Sequence, residues 1–283
     1  MVEFEFKPGD LVEVTERTLG DGGGPPPILT GELAFVEQVR ERSEQYVLRV
    51  GDKLARADIE GVRRPTCLQG SAKDEKRVPL DIARVFADDV LELLAPACER
   101  IEVAGSIRRG AADVGDVEIV CVPTLHFQTD LFGDLVETAH NQLDKLTAHL
   151  VDKGKLEYRL DKNARRAWGS RHMRAYLVAR GALFPVDIFA VLPPATWGVI
   201  FAIRSGPAEF SKALVSQRDH GGALPAGWKV KDGQLLVGDG QLIDTPEEAH
   251  VFAALGLPWI PAGERSAESL RDAVRWAMRV PGA

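Results

Sequence analysis

The sequence predicts an α+β chain, and three observations carry that expectation. Residues 1–66 alternate apolar and polar positions at the period of strands (Val2, Phe4, Phe6; Val12, Val14; Tyr46, Leu48, Val50), between the turn-forming stretches KPGD, DGGGPPP and VGDK. IEVA (101–104), VEIVCV (117–122) and LFPVDIFAV (183–191) are β-prone runs separated by segments with apolar residues at helical spacing. The carboxy-terminal part mixes short helical patterns with a glycine-rich hairpin. Elements in this order suggest a mixed sheet with helices on one face.

Taken along the chain, residues 1–66 read as a small β-barrel resembling an SH3-like domain. Asp21–Pro27, DGGGPPP, can form neither helix nor central strand and reads as a hairpin loop. Residues 67–77, including the polar QGSAKDEKR, are the linker. The central unit, 78–194, opens with a helix from Pro79 to near Pro96, its apolar stripe formed by Ile82, Val85, Phe86, Val90, Leu93 and Leu94. A long amphipathic helix is expected through Phe132, Leu135, Val136, Ala139, Leu143, Leu146 and Leu150, then strands in EYRL, RAYLVA and LFPVDIFAV. Residues 195–283 form a small α/β subdomain. It holds the helical PAEFSKALVSQRD (207–219), the hairpin WKVKDGQLLVGDGQLI, and a helix in TPEEAHVFAALGL (245–257) capped by Thr245, opened by Pro246 and closed by Gly256. The last helix, SAESLRDAVRWAM, is assigned no chemistry.

Composition narrows the function classes. With 283 residues and 45% hydrophobic content, ordinary cores are within reach. Cys67, Cys98 and Cys121 are odd in number and widely spaced, which argues for reduced thiols and a cytoplasmic chain. Neither a leader nor a membrane-spanning stretch is expected. A net charge of −7 leaves no overall basic footprint, but Arg108, Arg109, Arg159, Arg165, Arg166, Arg171 and Arg174 could form a local strip for phosphates or a solvated face.

The chemistry concentrates in GSIRRGAADVGDVE (105–118). Residues two apart on a strand share a face, so Asp116 and Glu118 project together, and two such carboxylates repel unless a cation lies between them. Asp187 interrupts an apolar run, where an unpaired carboxylate would cost several kcal/mol. If its strand lies beside that of Asp116 and Glu118, the acids suit two Mg²⁺ ions, with Mn²⁺ as a substitute. Gly105 and Ser106 follow a strand directly and can aim backbone N–H groups and a hydroxyl at phosphate. Arg109 adds a planar fork, and Gly115 allows close approach. A nucleoside triphosphate with its metal uses both halves at once.

GSIRRGAADVGDVEIV resembles the nucleotidyltransferase signature of the family X DNA polymerases: Gly-Ser-x-Arg-Arg-Gly, then Gly-Asp-x-Asp, at the same spacing. PVDIFAVLPPATWGVIFAIRSGPAEFSKAL looks like that family's third-acid strand and nucleotide-holding turn, and TPEEAHVFAALGLPWIP like the end of its terminal subdomain. The resemblance, over residues 76–265, implies a palm with a nucleotide- and template-facing subdomain. It implies Asp116, Glu118 and Asp187 as catalytic metal ligands, with Asp187 also the base on a primer 3′-hydroxyl. Gly105, Ser106, Arg109 and Gly115 would hold the triphosphate. Ile203, Arg204, Ser205 and Gly206 would lie against the sugar, and Ser211 and Lys212 near the base.

Departures accompany the likeness. Glu118 replaces the usual Asp, and Ile203-Arg204 replaces a Tyr-Phe pair beside the ribose, leaving sugar choice open. The lyase and helix-hairpin-helix units have no counterpart, and the SH3-like unit is either a DNA grip or a scaffold. The implied activity is Mg-dependent transfer from a nucleoside triphosphate to the 3′-hydroxyl of primer/template or gapped DNA, with RNA left open, by a monomer acting in gap filling, repair or terminal transfer. Transfer to a small-molecule or protein hydroxyl, and a non-catalytic nucleic-acid-binding role, are the alternatives. Trp168 reads as a core residue or a base-stacking one. The histidines at 126, 140, 149, 172, 220 and 250 lack ligand spacing and read as surface or helix-face residues.

Overall fold

The computed structural model describes residues 5–14, 19–20, 33–40, 45–50, 53–58, 62–63, 77–125, 127–129, 135–137, 141–161 and 163–279. The amino-terminal strands are β1 (Leu11–Val14), β2 (Leu19–Gly20), β3 (Leu33–Arg40), β4 (Gln45–Val50), β5 (Lys53–Asp58) and β6 (Val62–Arg63). They pair antiparallel in the order β2-β5-β4-β3-β1-β6. Period-two alternation sends Val12, Val14, Ala34, Val36, Leu48, Ala55 and Ala57 into one apolar core with Tyr46, whose hydroxyl accepts from Phe6 N at 3.2 Å. The expected loop at 21–27, Val2, Phe4, Cys67 and the polar stretch 69–76 lie outside the described residues.

The central elements are β7 (Val78–Pro79), α1 (Leu80–Leu94), β8 (Cys98–Val103), α2 (Gly105–Arg108), β9 (Asp113–Val114), β10 (Val117–Pro123), β11 (Phe127–Thr129), β12 (Leu135–Glu137), α3 (Gln142–Asp152), β13 (Leu156–Tyr158), β14 (Trp168–Gly169), β15 (His172–Ala179) and β16 (Ala182–Ala190). α1 buries Ile82, Ala83, Phe86, Ala87, Val90 and Leu94 along one stripe, with Pro79 just ahead of its first turn. The expected helix through Phe132 to Leu150 is shorter. Leu135–Glu137 pairs instead as a strand with β11, and the helix begins at Gln142. Asn141 sets that start: its side chain accepts from Asp144 N at 2.9 Å while the Asp144 carboxylate accepts from Asn141 N at 3.4 Å. Phe132 and Ala139 lie outside the described residues.

The central sheet has the order β13-β15-β16-β10-β8, with β14 added on β15. β10 and β16 run parallel; the other pairs are antiparallel. Val117, Ile119, Cys121, Met173, Ala175, Leu177, Val186 and Ile188 pack against α1 and α3 on one face, where Phe86 and Phe184 stack at 4.6 Å. The buried Val, Leu, Ile, Met and Phe side chains among these contribute roughly 1.5–3 kcal/mol each through burial. The alternating residues face the other way. There α4 (Trp197–Ser205) covers Val120 and Phe189 with Trp197 and Phe201, so helices lie on part of the second face as well.

The terminal part continues with α5 (Ala208–Leu214), the three-stranded antiparallel β17 (Trp228–Lys231), β18 (Gln234–Val237) and β19 (Gln241–Ile243), α6 (Glu248–Ala254) and α7 (Ala267–Ala277) around a second apolar core. The helix expected over 207–219 stops at Leu214, because the chain doubles back and Ala223 N takes the Ala213 carbonyl at 2.9 Å. Glu247, not Thr245, caps α6; Thr245 instead shares a 2.8 Å hydroxyl contact with Thr196. Gly256, with φ +66°, closes that helix as expected. Gly198 lets α4 meet the chain before α6, since a Cβ there would come within 2.4 Å of the Glu247 carbonyl oxygen. Among the described residues no helix is long and apolar enough to cross a membrane.

Candidate active site

The parallel pairing of β10 with β16 places Glu118 opposite Asp187. Both strands send alternate residues to α1 and α3, so these acids emerge together on the reverse face, beyond the part covered by α4. Asp116 stands just ahead of β10, and its charge reaches Glu118. Burial, then Asp116, then Asp187 push the Glu118 carboxyl up to about 7, with Arg109 and Arg204 pulling it back. The same fields run in reverse. Burial lowers the pKa of Arg109, while Glu118 and Asp116 raise it; burial lowers that of Arg204, while Glu118 and Asp187 raise it. Three acids and two arginines therefore share one electrostatic cluster.

Asp187 is held from one side. Its Oδ1 accepts from Arg174 Nε at 3.1 Å and from Arg159 Nη1 at 3.3 Å, and Arg174 is its cross-strand partner on β15. Among the described residues no three Asp, Glu, His or Cys side chains stand close enough to enclose an ion as arranged. The donor set itself fits a hard divalent cation: carboxylates only, with Glu118 raised in pKa by burial and by the charges of Asp116 and Asp187.

Gly105 starts the single turn of α2 with φ +60°, and a Cβ there would fall 1.9 Å from Glu118 Oε2. Glycine is thus required by the acid strand as well as by the turn. Ser106 is half-buried on this turn, and a Cβ on Gly115 would meet nothing within 4 Å, so its side of the acids is open. Arg109 donates from Nη1 to the Gly206 carbonyl at 3.1 Å and the Ser205 carbonyl at 3.4 Å, tying the acid cluster to the end of α4. Arg108, the other signature arginine, forms a bidentate pair with Glu248 at 2.7 and 2.9 Å. Glu248 also accepts from the buried Arg265.

The residues expected at sugar and base divide. Arg204 is exposed over much of its surface, yet its guanidinium lies 3.8 Å over the Phe189 ring beside the acids. Gly206 is crowded by Phe210 and Ser211, while Lys212 is exposed. Ile203 turns into the terminal core, and its carbonyl accepts from the Ser211 hydroxyl. The arginine strip is partly spent internally: Arg159 and Arg174 on Asp187, Arg171 on the Leu192 and Pro193 carbonyls, and Arg166 over Tyr158 at 4.2 Å. Trp168 packs edge-on against Tyr158 and the central core, which favours its packing role. Cys98 and Cys121 are free thiols, half-buried and buried.

One residue beside the acids was passed over in the sequence. His172, read as a surface or helix-face residue, lies on β15 opposite Phe189, stacked on it at 4.5 Å and 10°, with Nε2 4.0 Å from Asp187 Oδ2. Burial lowers its pKa, opposed by Asp187 and assisted by Arg204, Arg174 and Arg159. Its signal was available in the spacing: residues 172 and 189 flank the hairpin turn at Arg180-Gly181 almost symmetrically.

No family model matches the chain. DNA polymerase lambda of Rattus norvegicus is 29% identical to it over 185 residues, 61% of this chain and 29% of the polymerase. The relationship is distant. It supports a family X-like ancestry, and the chain spans less than a third of that relative's length.

Proposed function

We propose that the chain is a divalent-metal-dependent nucleotidyltransferase that joins the nucleotidyl group of a nucleoside triphosphate to a nucleic-acid 3′-hydroxyl. Residues 78–194 act as its palm, 195–283 as the nucleotide- and template-facing part, and 1–66 as an SH3-like accessory unit joined through 67–77. The observation that carries this reading is the register of β10 and β16, which sets Glu118 against Asp187 with the Gly105 turn packed on Glu118. Polymerase lambda, a DNA polymerase by name, adds distant support for the polymerase reading.

Asp116, Glu118 and Asp187 would hold Mg²⁺ ions, which when bound offset the clustered carboxylate charge and stabilise charge developing on the reacting phosphate. The residues of the chain divide the remaining work. The Gly105-Ser106 turn offers backbone N–H groups and a hydroxyl to the β- and γ-phosphates, and the open side at Gly115 leaves room for them. Arg109 spends Nη1 on the Ser205 and Gly206 carbonyls, and its other donors serve the phosphates. Asp187, with Oδ1 engaged by arginines, accepts the proton of the attacking hydroxyl on Oδ2. The oxygen so activated attacks the α-phosphorus in line; its bond to phosphorus forms as the α–β bridging bond breaks and pyrophosphate leaves.

The test is primer extension on gapped DNA with deoxy- and ribonucleoside triphosphates, run beside small hydroxyl compounds as acceptors. Asp187→Asn, whose amide oxygen can still accept from Arg159 and Arg174, is expected to lose transfer by about a thousandfold or more while its melting temperature and nucleotide binding stay close to wild type. Near-normal incorporation by that variant removes Asp187 from the site, and transfer only to the small acceptors moves the function to the alternative class.

A further inference from the structure

We propose that His172 is a positioning residue for Asp187: its Nε2–H takes the second carboxylate oxygen when the acid turns to its working position. The inference rests on the function proposed above, because it concerns how the proton-accepting carboxylate is aimed.

The geometry is specific. Asp187 Oδ1 is committed to Arg159 and Arg174, whereas Oδ2 faces His172 Nε2 at 4.0 Å, about one ångström beyond a hydrogen bond. Nε2 is sealed from solvent and has no hydrogen-bond partner among the described residues. An unpaired buried ring nitrogen is unfavourable and rare in a folded chain, and where one persists it points to a partner acquired in another arrangement. The imidazole cannot easily swing away to find one elsewhere. It is clamped by the cross-strand stack on Phe189, which lies two residues after Asp187 on the same face of β16 and also carries Arg204. With the ring limited by that stack, we assign the movement to the carboxylate. A small rotation of Asp187 toward His172 lengthens its arginine contacts and presents a defined lone pair to an incoming hydroxyl. No atom is transferred in this step; one set of hydrogen bonds replaces another.

Two variants separate aiming from packing. His172→Phe keeps the stack on Phe189 and deletes the donor, while His172→Gln restores a side-chain N–H. His172→Phe is expected to lower kcat about tenfold with nucleotide KM unchanged, and His172→Gln to recover most of that loss, tenfold being the scale of one hydrogen bond to a charged group. A second readout needs neither turnover nor metal. In Arg174→Leu protein, where a competing donor on Asp187 is gone, the His172 Nε2 proton moves downfield in NMR spectra and returns when Asp187→Ala is added. Full kcat in His172→Phe, equal losses in the Phe and Gln variants, or an Nε2 proton indifferent to Arg174 each overturn the proposal. A wild-type chain that transfers to no acceptor sinks the proposed function instead, and the NMR result then decides the His172–Asp187 pairing alone.

Discussion

Glu118 and Glu248 are both largely withdrawn from water, and their surroundings treat them in opposite ways. Burial alone would push the Glu248 carboxyl up, but hydrogen bonds from Arg108 and Arg265 outweigh it and hold it below the ordinary carboxylate range. Glu118 has burial and two like charges against it, opposed by the charges of Arg109 and Arg204, and rises to about 7. Glu248 is a finished ion network joining α2 to α6; Glu118 is an unfinished one. A buried acid that the fold completes holds parts together, and one that the fold leaves incomplete points to a cation from outside.

The contrast can be broken most forcefully at Glu248. Glu248→Ala leaves Arg265, with its side chain 0% exposed, without a counter-charge, and is expected to destabilise the chain by about 3–5 kcal/mol in thermal or urea unfolding. A loss below about 1 kcal/mol would put Glu248 in the same class as ordinary surface pairs.

Glu118→Gln should act in the other direction. A carboxyl raised from 4.5 to about 7 lets the fold keep its full stability below the unfolded value and lose it as pH rises through the folded one. The melting temperatures of wild type and Glu118→Gln in metal-free buffer should therefore agree near pH 4 and diverge toward pH 8. The variant is then the more stable by about 3 kcal/mol, and inactive in transfer. Saturating Mg²⁺ should raise the wild-type melt and close much of that gap. Parallel melting curves across this range would show that Glu118 is not strained.

The smallest effect is expected at Arg100, which bridges Glu102 and Glu247 at 2.7 and 2.6 Å on the surface. Their side chains keep 35%, 40% and 50% exposure, so Arg100→Ala should cost under about 1 kcal/mol and the difference should vanish in high salt. A larger, salt-resistant loss would make this pair a second structural weld beside Glu248.

Much of the acid cluster was legible in the sequence because its signals are local. Asp116 and Glu118 sit two apart at a strand start, Asp187 interrupts an apolar strand, and Gly105 follows β8 directly. The amino-terminal strands were legible for a similar reason, through alternation alone. What escaped depends on distant partners. Arg108 meets Glu248 140 residues later, and nothing in Arg-Arg tells which arginine turns to phosphate and which to a glutamate. His172 acquires its neighbour only once the β15–β16 hairpin is in register. The helix drawn from Phe132 overran because Leu135 and Val136 fit either period; Asn141 followed by Asp144 was the local capping signal that marked the true start.

The co-directional alignment of the two acid-bearing strands has an evolutionary consequence. The segment between Pro123 and Gln142, with its β11–β12 hairpin, can lengthen or shrink without separating Glu118 from Asp187, since these are joined by strand pairing and not by the intervening peptide. A one-residue deletion inside either strand would instead send its acid to the greasy side of the sheet. Lineages of this chain should therefore tolerate gaps in that connecting segment and almost never within 117–123, 172–179 or 182–190.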